Sequence, residues 1–174
     1  MTKPTRHHAK APPAAKRPRA APEKKTVTPH SGPAQPTVAP APPRLRVLIA
    51  HRDAALLRLA RESLETFLDC EVRTTSSALG AFDRVLQEPY RLLLLDLHLT
   101  ELPGELLYDL ISRVYPRVHP GSLTAPPVIW LGLPTDQPRQ DELTREARTK
   151  ALLVTPLNIQ RLLDTAGTLL PRKG

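Results

Sequence analysis

Short apolar runs alternate with longer amphipathic stretches through residues 44–174 of the 174-residue chain. The apolar runs are too short for helices and are bounded by polar or turn-forming residues, which favours buried strands. We predict five strands, over residues 46–50, 70–75, 91–96, 128–131 and 151–154.

Between the strands, apolar residues recur at the spacing of an amphipathic helix. Leucines at this spacing predict a helix over 54–68, and similar patterns predict a second helix stopped by Pro89 and a third that ends at Tyr115. Four prolines in 116–127 predict an irregular connection, and a polar fourth helix is expected to run to about residue 149. Side chains suited to helix N-caps precede four of the five helices: Asp53, Ser77, Asp136 and Asn158.

Five strands that alternate with five helices indicate an α/β fold, with a parallel sheet and helices on both faces. In such sheets, ligands bind beyond the carboxyl ends of the strands. The residues that follow each strand are therefore the first candidates for a site: 51–53, Asp96, Gly132 and 155–156.

The first 43 residues differ in composition from the rest. They hold 11 of the 21 prolines, and eight lysines and arginines against one acid, Glu23, which is about +7 of the net charge of +8. After Met1, their only large apolar residues are Val27 and Val38, too few to offset the entropy of ordering the segment. We therefore predict a disordered Pro/Ala-rich tail, 1–43, and a nearly neutral domain, 44–174.

The basic residues of this tail form two clusters. Clustered cations attract phosphates by charge and by release of counterions, so DNA or another polyanion is a candidate partner. The alternative is a solubilising linker that repels itself. The candidate nucleic-acid contacts are Lys16, Arg17, Arg19, Lys24 and Lys25.

Cysteine usage and hydropathy exclude several classes of protein. Cys70 is the only cysteine, which excludes an internal disulfide and a cysteine-based zinc site and favours a reducing compartment, the cytoplasm. The longest aliphatic run, 92–95, is far shorter than the ~20 residues of a membrane helix, so no membrane association is expected. Without a glycine-rich phosphate loop or a nucleophile elbow, we expect no enzyme.

Several features of the domain occur together in one known family. Asp96 ends the third strand, Gly104 follows eight residues later, and Thr155-Pro156 follows the fifth strand. In this order and spacing, residues 44–172 resemble the receiver (CheY-like) domain of two-component response regulators. The resemblance implies a flavodoxin-like (βα)5 fold, a parallel sheet of strand order 2-1-3-4-5, and Asp96 as candidate phosphoacceptor.

The resemblance fails at the residues that support phosphorylation. Family members place two acids after the first strand to hold Mg²⁺, where this chain has His51 and Arg52; only Asp53, one position later, is acidic. The family's hydroxyl after strand four, aromatic in strand five and lysine after strand five are replaced here by Gly132, Leu152 and Thr155.

Phosphoryl transfer to a carboxylate depends on a metal and cations that offset the developing negative charge. Since Arg52 could pair with Asp96 and neutralise it permanently, we predict a degenerate pseudo-receiver, an interaction module without a cofactor that is at most weakly phosphorylated. The resemblance places its protein partner on the fourth helix, fifth strand and fifth helix. Two alternatives stay open: a conventional phospho-accepting regulator with Mg²⁺ on Asp53 and Asp96, and a nucleic-acid-associated protein acting through its tail. The sequence leaves the oligomeric state open.

Overall fold

A computed structural model describes residues 44–174. The predicted tail and its basic candidates, Lys16, Arg17, Arg19, Lys24 and Lys25, lie outside the described residues. The strands are β1 (Leu45–Ala50), β2 (Cys70–Thr75), β3 (Leu92–Asp96), β4 (Val128–Gly132) and β5 (Thr149–Val154). The helices are α1 (Ala54–Phe67), α2 (Ala78–Gln87), α3 (Gly104–Val118), α4 (Gln140–Thr144) and α5 (Ile159–Gly167), with a 3₁₀ helix, Pro134–Arg139, before α4.

The five strands form one parallel sheet in the order β2-β1-β3-β4-β5. This confirms the predicted flavodoxin-like topology. Asp96, the last residue of the central strand β3, pairs with Leu131 of β4. The side chains that follow β1, β3, β4 and β5 therefore meet along one edge, which we call the carboxyl edge.

Leucine repeats in β3 hold the two layers of helices to the sheet. Side chains alternate along a strand, so Leu93 and Leu95 join the core beneath α2 and α3, whereas Leu92 and Leu94 join the core beneath α1 and α5. All four leucines are fully buried. Burial of one such side chain contributes roughly 1.5–3 kcal/mol, which fixes the strand that carries Asp96.

Three of the predicted N-caps are confirmed. Asp53 Oδ1 accepts hydrogen bonds from the N–H groups of Ala55 and Leu56, at 2.8 and 3.3 Å. The Ser77 hydroxyl accepts from Gly80, and the Asn158 side-chain oxygen accepts from Arg161. Each bond satisfies a backbone donor that the first helical turn leaves free.

The prediction for the fourth helix is wrong. Instead of one helix to about residue 149, a 3₁₀ helix is followed by a five-residue α4, and β5 begins at Thr149. Pro138 lacks the N–H that an α-helix would use, and Leu143 is the only apolar residue that α4 buries, so no apolar stripe supports a longer helix.

The third helix also differs from the prediction, because it continues through Pro116 to Val118. The residues around the proline are held in place by other contacts. The Tyr115 hydroxyl accepts from the N–H of Tyr90 and donates to its carbonyl, and His119 Nε2 lies 2.6 Å from the Val85 carbonyl oxygen. Tertiary contacts thus outweigh the local preference of proline to end a helix. Within residues 44–174, none of the helices has the length and apolar character needed to cross a bilayer.

Candidate functional site

Asp96 is a buried carboxylate at the centre of the carboxyl edge, with only 2% of its surface exposed. Its Oδ1 accepts a hydrogen bond from the backbone N–H of His98 at 2.9 Å. Its Oδ2 is buried and has no hydrogen-bond donor among the described residues. A buried acceptor without a donor is unfavourable.

His51 and Arg52, which directly follow β1, face this oxygen. His51 Nε2 and Arg52 Nε each lie 3.7 Å from Asp96 Oδ2, within reach of an ion pair but too far for a hydrogen bond. His51 Nδ1 accepts from the N–H of Asp53 at 2.9 Å, so the proton of the neutral ring is on Nε2, towards Asp96. Burial lowers the pKa of His51, against the opposing influence of Asp96.

Asp53 does not join Asp96, because its carboxylate caps α1. A cation site here would therefore receive one carboxylate, together with an imidazole N–H and a guanidinium. Mg²⁺ prefers several oxygen ligands in octahedral geometry, and neither of these donors is a ligand for it. These residues do not fit Mg²⁺. Among residues 44–174, no cluster of three or more His, Cys, Asp or Glu side chains could hold a metal ion.

Gly104 allows the chain after Asp96 to turn back tightly into α3. Its N–H donates to the Leu97 carbonyl at 3.1 Å, and a Cβ atom at this position would overlap the carbonyl oxygen of Asp96. The glycine eight residues after Asp96 is thus required by close packing of α3 against the end of β3.

Three positions differ from the hydroxyl, aromatic and lysine that the resemblance implies: Gly132 ends β4, Leu152 lies in β5, and Thr155 directly follows β5. Leu152 is fully buried in β5, and the Thr155 N–H donates to the Gly132 carbonyl at 2.9 Å. A Cβ atom on Gly132 would lie 2.9 Å from Asp136 Oδ2 and 3.1 Å from Leu152 Cδ1. The space next to Gly132, where the resemblance implies a hydroxyl side chain, is occupied by the Asp136 carboxylate.

Asp136 and His98 form a pair that sequence reasoning missed as part of the site. Asp136 Oδ2 lies 2.7 Å from His98 Nε2 and accepts from the N–H of Leu133 at 2.7 Å. Burial by itself raises the pKa of Asp136, but the bonds from Leu133 and His98 outweigh it and hold the pKa below its usual value. The signal in the sequence was an acid in the first turn after β4, which we interpreted only as a helix cap.

No protein-family model and no curated protein matches the chain. Solved structures do match. CheY4, a chemotaxis response regulator of Vibrio cholerae, aligns with a TM-score of 0.60 and 17% identity over 74% of this chain and 100% of that chain. A CheY-like response regulator receiver domain protein from Methanospirillum hungatei JF-1 aligns with a TM-score of 0.59 and 21% identity, over 72% and 93% of the two chains.

A third similar structure is the receiver domain of the Francisella response regulator 1452, with a TM-score of 0.59 and 17% identity, over 72% of this chain and 95% of that one. The described domain has the receiver fold. At these identities the likeness concerns the path of the chain, and the chemistry follows from the residues at the carboxyl edge.

Proposed function

We propose that this domain is a receiver-like interaction module that acts without phosphorylation of Asp96. The observation that carries the proposal is the environment of Asp96 Oδ2, which is faced by Arg52 and His51 at 3.7 Å each. A cation beside the carboxylate offsets its negative charge permanently, and it does so without a metal ion or a phosphoryl group.

The second carboxylate of the site supports the same proposal. A phosphoryl group on Asp96 would bring negative charge to an edge where Asp136 already fills the space beside Gly132. Like charges at one edge of the sheet repel each other, and the repulsion increases as the distance between them falls. At the end of β5, Thr155 supplies no positive charge to offset this repulsion. Catalysis of phosphoryl transfer consists mostly of positioning and charge compensation, and both are weakened here.

Intact mass after incubation with acetyl phosphate and Mg²⁺ tests the proposal. We expect no added phosphate on the natural chain, and none on the Asp96→Asn variant. A double variant, His51→Asp with Arg52→Asp, restores two acids after β1 and should gain affinity for Mg²⁺, measured by calorimetry. A phosphate that appears on the natural chain and disappears in Asp96→Asn would instead establish a conventional phospho-accepting regulator.

We place the protein partner on the surface formed by α4, β5 and α5. Around α4 this surface exposes both signs of charge: Asp141, Glu142, Arg145, Glu146 and Lys150. A partner that binds here should bind Asp96→Ala as tightly as the natural chain. It should be released when Arg145 and Lys150 are changed to Glu, whereas Arg58→Glu on α1 serves as the control. A partner that is lost with Asp96→Ala would contradict phosphorylation-independent binding.

A second candidate function is binding of DNA through the tail, favoured by the concentration of about +7 of the net charge in residues 1–43. Affinity for duplex DNA should fall steeply with salt, because each neutralised phosphate contributes a slope of about −0.9 in log K against log salt. Changing Lys16, Arg17, Arg19, Lys24 and Lys25 to Ala in the full chain should abolish binding. Unchanged binding by that variant would contradict a role for the tail.

A further inference from the structure

Apolar side chains are exposed along α2 and α3, the two helices that cover one face of the sheet. Leu79 on α2 is 70% exposed, and Leu106 and Leu110 on α3 are 48% and 39% exposed. Phe82 and Leu86 follow Leu79 at helical spacing and are half-buried. We call these five residues the α2–α3 patch. Adjacent exposed apolar residues are typical of an interaction surface.

The patch lies along the seam between the two helices. On α2, Gly80 marks the side that faces the edge strand β2, since a Cβ atom there would lie 2.7 Å from Thr75 Oγ1. On α3, Glu105 and Asp109 mark the side that faces α4, where they line a cavity with residues of α4. At roughly 100° per residue, the apolar residues of the patch fall on the remaining side of each helix, so the two sets face the same seam.

The two helices start side by side and run in the same direction. Glu101, which precedes α3, accepts from the Ser77 hydroxyl at 2.8 Å and from the N–H of Leu79 at 3.2 Å. These bonds tie the chain before α3 to the first turn of α2. Both helices connect parallel strands and therefore share a direction. Positions along them can thus be compared through the helical rise of about 1.5 Å per residue.

The two outer rims of the patch carry opposite charges. On the α2 rim, Asp83 is exposed, and its carboxylate accepts from Gln87 of the same helix at 2.8 Å. On the α3 rim, Arg113 and Arg117 are exposed, and Arg113 also pairs with Asp109. By the helical rise, the levels of Asp83 and Arg113 differ by about 6 Å along the helices, or roughly one turn. An arginine side chain is long enough to span this difference.

From this arrangement we propose that the α2–α3 patch binds the same patch of a second copy of the chain. A two-fold axis parallel to the helices places α2 of each copy against α3 of the other, so the Asp83 rim of each meets the arginine rim of its partner. An axis across the helices would place like charges opposite each other. The surface formed by α4, β5 and α5 stays free, so the inference does not depend on the proposed function.

The basic tail is a poorer occupant of this face than a second copy. Val27 and Val38 are its only large apolar residues after Met1, which leaves little to pack against the leucines. Its charge of about +7 would also lie beside the arginine rim, where like charges repel.

The size of the patch predicts a weak dimer. The 15 residues of α3 give it a length of about 22 Å, and two helices side by side are about 20 Å wide. The face that they form is smaller than the roughly 800 Å² that each partner buries in a standard stable interface. We therefore expect monomers and dimers to exchange, with a dissociation constant in the micromolar range.

Sedimentation velocity of the full chain, from about 1 μM to about 1 mM, tests the proposal. We expect dimers to form as the concentration rises. The double variant Leu106→Ser with Leu110→Ser should weaken the dimer at least about tenfold, because the two-fold symmetry removes four leucines from the interface. Leu59→Ser is the matched control: Leu59 lies on α1, is 47% exposed and should leave the dissociation constant unchanged. A chain that stays monomeric throughout, or full association of the double variant, would overturn the proposal.

Charge reversal tests how the two copies are oriented. Asp83→Arg alone, and Arg113→Glu with Arg117→Glu, should each weaken self-association about three- to tenfold, because each places like charges opposite each other at two symmetric positions. Mixed in equal amounts, the two variants should associate with each other as tightly as the natural chain. Arg145→Glu on the opposite side of α4 is the control. Reversals without effect, or a dimer that dissociates with Arg145→Glu instead, would overturn the proposal.

Discussion

Two histidine–aspartate pairs lie at the carboxyl edge, and they differ in almost every physical respect. His98 and Asp136 are 2.7 Å apart, and the same carboxylate oxygen also accepts from a backbone N–H. His51 and Asp96 are 3.7 Å apart, and the facing carboxylate oxygen has no hydrogen-bond donor in the described residues. Yet Asp96 is the more buried acid, at 2% exposed against 5% for Asp136.

The contrast shows that burial alone does not make a polar pair stabilising. A buried ion pair offsets its loss of hydration only when good geometry and further hydrogen bonds accompany it. Asp136 meets this condition and therefore holds the chain after β4 in place. Asp96 does not, because one of its carboxylate oxygens has no hydrogen-bond donor among the described residues, so we expect it to contribute little to stability. The following substitutions test this difference, from the largest expected effect to the smallest.

Gly104→Ala should disrupt the edge most, because the added Cβ overlaps the backbone carbonyl of Asp96 and must push α3 away from β3. We expect the free energy of unfolding to fall by about 3 kcal/mol, at the upper end for overpacking. Urea denaturation measures it. Gly167→Ala is the control, since its Cβ would meet nothing closer than 3.9 Å. Equal stability of the two variants would show that the close approach at Gly104 is absent.

Asp136→Ala removes the acceptor of the Leu133 N–H and the partner of His98. We expect a loss of about 2 kcal/mol of unfolding free energy, the value typical of hydrogen bonds to a charged group. Asp141→Ala, on the exposed face of α4, should change little when measured in the same way.

The matched change at the other pair, Asp96→Asn, keeps the acceptor for the His98 N–H and removes the charge of the unsatisfied oxygen. Its expected effect on the free energy of unfolding is less than about 1 kcal/mol in either direction. If Asp96→Asn destabilised the domain more than Asp136→Ala, the ranking of the two pairs would be reversed.

The fold could be predicted from the sequence because its signals are repeated many times. The leucine run of β3, for instance, is buried on both faces and cannot be accommodated elsewhere. The prediction of one helix in residues 134–149 is wrong because this segment contains charged residues and two prolines but a single buried leucine. It therefore has no periodic pattern of apolar residues. Burial of Tyr115 and its bonds to Tyr90, which carry α3 past Pro116, are tertiary effects that a local pattern does not contain.

The site was only partly predictable. The predicted ends of β1 and β3 place Asp96, His51 and Arg52 at the carboxyl edge, because parallel strands run in the same direction. The pairing of His98 with Asp136 joins residues 38 positions apart and depends on how two loops fold over that edge. Gly132 has no side chain, so the sequence does not indicate that the Asp136 carboxylate fills the space beside it.

The stability of the domain should depend on pH through His51. Burial lowers its pKa below the usual 6.5, so the unfolded chain takes up this proton at higher pH than the folded chain. Between the two pKa values the unfolded state binds more protons, and stability therefore rises with pH. Urea denaturation from about pH 5 to about pH 8 measures the slope. His51→Gln should flatten it, and an unchanged slope would exclude His51 as its source.

The smallest effect is expected at Arg52. Its side chain is 44% exposed and its Nε is 3.7 Å from Asp96 Oδ2, so solvent screens much of the attraction. Arg52→Gln should lower the free energy of unfolding by less than about 1 kcal/mol, and by less still at high salt. Arg58→Gln, whose Nε lies 4.0 Å from Glu62 on exposed α1, is the control. A loss of several kcal/mol in Arg52→Gln alone would make Arg52 the counter-ion on which Asp96 depends. His51, Arg52 and Asp96 would then form a three-residue cluster as firmly held as the pair of His98 and Asp136.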